Sequence, residues 1–267
     1  MAMPQSCISS PEIYAPEQIH ALYRALPLPE SEILELHQYF EAASHLYGII
    51  RLKHLLHIYN CQNPPVSDAD FLAVAEIIRH EANDFYILDK ADLYESAPAT
   101  APMDREIVSL AVLAFGTERY DRLIRLQVGS PLPIPAREEL LAYRDPRHFP
   151  STPQHLNMLD FLRNRADRLP GSARDMLRTV QTMIWLGCDL QEVLCGLSAA
   201  GFSFRSHAEQ REFTVLFHAM ERHTRTIANR GQTPAASINH SSLFFSAHRK
   251  LFAKLKGAAA VSRMFML

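Results

Sequence analysis

The sequence predicts a mostly α fold: a small helical head that carries one β-hairpin, followed by an irregular multi-helix bundle. Three observations predict it. Apolar residues recur at helical spacing through most of the 267 residues. Only 9 glycines accompany 17 prolines, a balance that suits helices joined by stiff connections better than a many-turned sheet. Extended patterning is confined to two short stretches, one at residues 48–50 and one at 85–94.

The elements follow in order. Residues 1–15 contain no basic segment leading into an apolar one, so no secretory signal is expected and the stretch is read as loosely ordered. A helix at 16–26 opens on Pro16 and is ended by Pro27 and Pro29. Ser31 is placed to cap the next helix, whose stripe Ile33, Leu34, Leu36, Tyr39, Phe40 and Ala43 marks a core-facing side, and Gly48 breaks it. Gly48, Ile49 and Ile50 form a minimal extended piece. Leu52, Leu55, Leu56 and Tyr59 resume helical spacing until Pro64 and Pro65 stop it. Ser67 caps a third helix, with Asp68 and Asp70 in its first turn and Phe71, Val74, Ala75 and Ile78 facing inward. Phe85, Tyr86, Ile87 and Leu88, then Leu93 and Tyr94, flank a polar tip at Asp89-Lys90 and read as a hairpin. Helix, short strand, helix, turn, helix, hairpin is the layout of a winged helix, a helix-turn-helix with a β-hairpin wing.

The Pro/Ala-rich run 96–103 marks a linker, which assigns the winged-helix-like domain to 16–97 and a helical bundle to 98–240. Helices are predicted there at 105–127, 136–143, 152–169, 172–186, 190–200 and 208–229, the last followed by Gly231 as C-cap and by Pro234. No fixed repeat period is found, which disfavours a solenoid. Residues 241–267 are assigned to a basic amphipathic C-terminal helix. Its apolar strip, Leu243, Phe244, Phe245, Leu251, Phe252 and Leu255, lies beside Arg249, Lys250, Lys254 and Lys256.

Charge is unevenly spread. Residues 1–100 carry 5 Lys and Arg against 14 Asp and Glu, and residues 101–267 carry 22 against 15. Such asymmetry points to partners or to one half docking on the other. It also bears on nucleic acid, whose non-specific affinity comes from cations neutralising phosphates. The helix in the recognition position carries Asp68, Asp70, Glu76 and Glu81 against Arg79 alone. DNA contact through this unit is therefore disfavoured, and Asp68, Asp70, Glu76, Arg79, Arg249, Lys250, Lys254 and Lys256 are the candidate partner-binding residues.

Chemical motifs are few. Cys7, Cys61, Cys188 and Cys195 show no CxxC spacing and read as reduced thiols, with Cys188 and Cys195 in core packing. The best metal cluster is His54, His57 and Cys61, at i, i+3 and i+7 on one helix, where imidazole and thiolate would suit zinc. The surface-histidine reading is preferred, so no metal or cofactor is expected. His218, Glu221 and Arg222 read as a polar helix surface. No phosphate-binding glycine loop and no GxSxG elbow occurs. No apolar run reaches the roughly 18–20 residues of a membrane span.

The run Tyr47-Gly48-Ile49-Ile50 leading into Leu52-Lys53-His54-Leu55, with Asn229-Arg230-Gly231-Gln232-Thr233-Pro234 further on, resembles a group of bacterial proteins, many of which end in a SEC-C zinc-binding motif. The resemblance implies a winged-helix-like head followed by helices, and no particular activity. This chain lacks the Cys-rich CxCGSGKK-type tail, so the zinc module does not carry over.

These observations lead to an expected function: a bacterial cytoplasmic, non-enzymatic regulatory or adaptor protein acting through protein contacts, with homo-oligomerisation through the C-terminal segment as an option. The alternatives are a nucleic-acid-associated regulator of plasmid or mobile-element type, binding through the basic C-terminal half, and an enzyme of unrecognised family.

Overall fold

The structure is a computed structural model that describes residues 8–165 and 171–236. It is mostly helical, with one small three-stranded antiparallel sheet. Helix α1 (Pro16–Arg24) leads to α2 (Glu30–Tyr47), which starts directly after Pro29, so Ser31 lies inside the first turn and caps nothing. Leu36, Tyr39, Phe40, Ala43, Leu46 and Tyr47 form its buried stripe. Strand β1 (Ile49–Arg51), helix α3 (Leu52–Gln62) and helix α4 (Asp68–Ile78) follow. Ser67 caps α4 as its sequence suggests, accepting from the Asp70 amide at 3.1 Å.

The hairpin expectation is half right. Strand β2 (Phe85–Leu88) forms, but Leu93 and Tyr94 are not its return strand. Asp89 and Asp92 cap each other's backbone, Ala91 N donating to Asp89 Oδ1 at 3.1 Å and Asp89 N to Asp92 Oδ2 at 2.8 Å. That reciprocal cap closes a helical turn, α5 (Lys90–Leu93), at what the sequence reads as a hairpin tip. The chain then crosses the Pro/Ala-rich run, makes a 3-10 turn at Pro102–Asp104, and enters β3 (Glu106–Ser109). Strand β3 lies between β1 and β2 and is antiparallel to both. The sheet thus takes its central strand from beyond residue 98, and the run 96–103 works as a loop within it.

The helix expected at 105–127 is divided accordingly into β3, α6 (Leu110–Leu113) and α7 (Gly116–Gln127). Ile107 and Val108 are β-branched and find strands on both sides, so every ladder group is satisfied without a helix. Glu106 is buried at the start of this central strand. It accepts from the Tyr120 hydroxyl at 2.5 Å and from Arg51 Nε, its cross-strand neighbour, at 3.4 Å.

The sheet is a wall between two cores. Residues of a strand alternate in direction, and here both faces are covered. Ile50, Ile107 and Ile87 are in register and pack with α2, α3 and α4. Ile49, Val108 and Tyr86 are likewise in register and pack on the other side. The second core is built from α7, α9 (Pro153–Arg163), α10 (Ala173–Trp185), α11 (Leu190–Ala199) and α12 (His207–Glu221). The chain crosses back after α7. Helix α8 (Arg137–Ala142) packs on α2 and delivers Leu140, with Tyr143 just after it, to the first core. Ion pairs join the acidic and basic halves: Arg137 with Glu35, Arg105 Nη1 with Glu76 at 2.5 Å, and Arg144 Nε with Glu41 at 3.9 Å.

Two further expectations are corrected. The helix at 208–229 ends at Glu221. Beyond it, Thr224 Oγ1 donates to the Met220 carbonyl, Thr226 bridges Gln232, and Gly231 turns the chain with φ +73°. Residues 8–15, expected to be loose, are tied down: Ser9 N donates to the Asp92 carbonyl and Tyr14 N to that of His80, each at 2.9 Å. The 241–267 segment lies outside the described residues.

Asp89 holds the loop before β3. It is 7% exposed and accepts from Thr100 N and Thr100 Oγ1, both at 3.0 Å. Burial alone would raise its pKa; the Ala91 and Thr100 hydrogen bonds and the Arg105 charge outweigh burial and hold it below the usual carboxylate range. Replacing it by alanine is expected to destabilise the protein by about 2 kcal/mol and to speed proteolytic cutting at 94–100. The wild-type advantage should be present above about pH 3.9 and vanish as pH falls through the lower folded value. Equal cutting rates in the two proteins would refute the loop-holding role.

Candidate functional site

The helix in the recognition position is covered on one side only, and its Asp68 and Glu76 stay exposed. Helix α1 packs on α4, and Tyr14 stacks on His80 with ring centroids 4.1 Å apart. Ile77, about 120° around the helix from the main stripe at 100° per residue, is buried as well. Most charges of α4 and its C-cap have partners within the chain. Glu76 holds Arg105, and Arg79 reaches Asp92 Oδ2 at 2.7 Å and the Ile87 carbonyl at 3.1 Å. Asp70 takes the Ser67 hydroxyl at 2.6 Å, and Asp68 is exposed. Arg249, Lys250, Lys254 and Lys256 lie outside the described residues.

The candidate metal residues do not converge. Cys61 Sγ lies 3.8 Å from His57 Nε2 on the exposed side of α3. His54 belongs to a different environment. Burial, and then the charges of Arg230, Arg51 and Lys53, hold its pKa below the usual value, and those cations would also repel a metal ion. Among the described residues no three side chains of metal-binding type form a group. Cys188 is buried as expected, whereas Cys195 is exposed on α11 beside Gln191. His218 Nδ1 lies 3.1 Å from Glu221 at the exposed end of α12.

What the sequence reading did not anticipate is a cavity of about 420 Å³ at the seam of the two cores. Its wall comes from α2 (His45), from Asp84 before β2, from α6 (Leu110, Ala111), and from the α8–α9 connection (Tyr143, Phe149). It is closed by His155 of α9, Thr182 and Trp185 of α10, and His223, Thr224 and Arg225 after α12. These residues are scattered over 180 positions, so no local motif announces them.

Two histidines of the wall have pKa values shifted in opposite directions. His45 Nε2 lies 2.6 Å from Asp84 Oδ2 and Nδ1 lies 2.8 Å from the Tyr143 carbonyl. Both partners only accept, so satisfying both requires the imidazolium. Burial acts to lower its pKa, but the hydrogen bond and charge of Asp84, the Tyr143 carbonyl and the Glu41 charge outweigh burial and raise it. The hydrogen bond from His45 in turn lowers the pKa of Asp84. His155 is the reverse case. Its Nδ1 accepts from Thr152 N at 3.3 Å, which leaves the proton on Nε2, 2.9 Å from Thr224 Oγ1. Burial lowers its pKa, against the hydrogen bond to the Pro150 carbonyl.

The His45 assignment has a sign that can be measured. A raised histidine stabilises the fold fully below its unfolded pKa of about 6.5, and that contribution fades as pH rises through the folded value. Asp84 works from the other side, losing its share as pH falls below about 3.9. His45→Gln is therefore expected to cost about 1 kcal/mol near pH 5.5, a modest figure because the Asp84 side chain is half exposed. The difference from wild type should shrink in alkaline solution. Denaturant unfolding at several pH values checks this, and a loss that grows with pH would contradict it.

Tyr143 carries the remaining feature. It is 4% exposed, and its hydroxyl, itself almost without accessible surface, lies beside the Arg225 guanidinium without an aligned hydrogen bond. Arg225 beside it is committed elsewhere, to Glu139 and, at 2.6 Å, to the Gly231 carbonyl. Burial pushes the phenol up to about 12, against the charge and hydrogen bond of Arg225.

Compared with protein-family models, curated proteins and solved structures, the chain matches none of them. No helix among the described residues is long and apolar enough to cross a membrane.

Proposed function

We propose that this chain is a non-enzymatic regulatory protein that works by binding a small molecule in the cavity between a winged-helix-like head and a helical body. The observation that carries the reading is the cavity itself, whose mainly apolar wall brings together His45, Phe149, His155, Trp185 and Arg225. A largely apolar pocket with a few convergent polar groups is the usual form of a small-molecule site. Its position supports a regulatory role, because α2 and β3 from the first core and α9 and α10 from the second all reach it, so an occupant biases how the two pack.

The winged-helix reading of residues 30–109 draws support from element order and from the strand order β1-β3-β2. Two observations speak for a scaffold rather than a DNA reader: α1 lies on α4, and the sheet is covered on both faces. Gel shifts with duplex DNA at low ionic strength are expected to show no salt-dependent complex.

The tautomers weigh against catalysis. Thr224 faces His155, but His155 presents a proton to it rather than a lone pair, and the Thr224 hydroxyl donates to the Met220 carbonyl. His45 has both nitrogens occupied. Neither ring can take a proton from a nucleophile in this state.

The test is a thermal-shift and NMR screen of neutral small aromatic fragments against the wild type and a Thr182→Trp variant whose indole fills the cavity. Binding to the wild type that the variant abolishes supports the reading. Absence of binding, or equal binding to both proteins, refutes it.

A further inference from the structure

We infer that the groove between α9 and α10 binds a small phosphate monoester with an apolar body, its phosphoryl group held by Arg147, Arg174, Arg178 and the Gln181 amide. The site lies outside the cavity described above, because Arg174, Arg178 and Gln181 line the groove and do not line the cavity. Positions 174, 178 and 181 stand at i, i+4 and i+7 of α10, so helical geometry puts them on one face. That face borders α9, which packs on α10 and contributes Leu156 and Leu159 to the groove. Arg147 and Phe149 of the α8–α9 connection complete it. Its volume of about 340 Å³ lies in the range of small-molecule pockets.

Two independent observations point to an anion. The first is charge. Arg147 and Arg174 are exposed and the Arg178 side chain is 46% exposed, so all three guanidinium groups can be reached from solvent. No Asp or Glu lines the groove. Arg178 Nη1 lies 3.7 Å from Asp175, whose charge also acts on Arg147. Neither Arg147 nor Arg174 makes an ion pair among the described residues. One carboxylate against three guanidinium groups leaves two positive charges unmatched, and a phosphate monoester carries about −1.5 to −2 at pH 7. Arginine also presents planar pairs of donors that fit phosphate oxygens. Amines and metal ions are repelled by the same field. The second observation is Gln181. It is 4% exposed, yet its amide makes no hydrogen bond among the described residues. Unlike the Tyr143 hydroxyl, this amide keeps accessible surface, and it keeps it in the groove. A partnerless amide at a buried position is costly, and an acceptor entering the groove satisfies its N–H donors. The body of the ester is set by the floor. Leu156 is 50% exposed beside the arginines, and an apolar group laid over it and Leu177 removes that surface from water.

The experiment is calorimetric titration of the full chain with phenyl phosphate, phenyl sulfate and inorganic phosphate. The wild type should bind phenyl phosphate tighter by about threefold or more than phenyl sulfate, which has the same shape and one charge; the step is modest because water screens exposed charges. A lead of about threefold or more is also expected over inorganic phosphate, which has no apolar body. Arg174→Gln should weaken phenyl phosphate by about threefold or more and shrink its lead over the sulfate. Gln181→Met should weaken it by a similar factor. The melting temperature of Gln181→Met without ligand should match or exceed the wild type, because the substitution deletes a partnerless amide. That readout separates lost recognition from lost folding. Arg211→Gln, at an exposed position of α12 outside the groove, should leave binding unchanged. If phenyl sulfate binds as well as phenyl phosphate, the dianion assignment is overturned. If inorganic phosphate binds as well, the apolar body is overturned. If Arg211→Gln weakens binding as much as Arg174→Gln, the attraction is a general field and the site falls. Unchanged binding by Gln181→Met, or no binding of any probe at millimolar concentration, also overturns the proposal.

Discussion

Gly48→Ala is expected to destabilise the protein by about 2–5 kcal/mol, the sum of a left-handed backbone penalty of about 1–2 kcal/mol and an overpacking penalty of about 1–3 kcal/mol. Gly48 joins α2 to β1 with φ +67°. A Cβ placed there would fall 2.5 Å from Ile227 Cγ1 and 3.2 Å from Trp185 Cζ2. Both belong to the second core, so this glycine is where body meets head. The neighbouring contacts are backbone-anchored: Ile227 N donates to the Trp185 carbonyl at 3.0 Å, and Trp185 Nε1 to the Leu46 carbonyl at 3.4 Å. Neither side chain can easily withdraw. Urea unfolding should show a lower midpoint with unchanged slope. A double-mutant cycle separates the two causes. In an Ile227→Ala background the collision is gone, and Gly48→Ala should cost only the backbone part. The same loss in both backgrounds would show that the contact with Ile227 contributes nothing.

The second large effect is expected at Phe40→Ala, about 3–5 kcal/mol, the usual loss for a buried phenylalanine. Phe40 is fully buried on α2, with Phe71 of α4 at 5.4 Å and Phe85 of β2 at 6.4 Å between ring centroids. Its removal leaves a void among three elements of the first core. The informative part is where the loss is seen. The chain has one tryptophan, Trp185, and it belongs to the second core. Because the sheet is one wall serving both cores, Trp185 fluorescence and far-ultraviolet circular dichroism should report the same lowered midpoint. Each kcal/mol should move the melting temperature by about 2–4 °C. An unshifted tryptophan transition beside a shifted dichroism transition would mean that the cores unfold separately, and the shared-wall account would be wrong.

The legible parts of this fold are those written in local pattern. The α2 stripe, the Ser67 cap and the Pro64-Pro65 stop of α3 all act within a few residues, and the helices of the first core follow from them. Leu93-Tyr94 and Ile107-Val108 look alike in isolation, and it is the later pair that pairs with β2. Asp92, capping back onto Asp89, withdraws the first pair from the sheet. Cys195 stands one heptad from the buried Cys188, yet α11 turns it outward. The cavity had no local signal at all. His45 sits on a helix stripe like any core histidine, and what it does depends on Asp84 and on the Tyr143 carbonyl, 39 and 98 residues away.

The sequence by itself determined the helical class, the acidic head and basic body, and the order of the first helices, because helical period, capping and net charge are properties of neighbouring residues. Only the tertiary structure decided the central strand, the covering of α4 by α1, and the cavity. Each of these depends on chain segments far apart in sequence that satisfy one another's backbone groups, apolar faces or charges, and composition and spacing record none of those pairings.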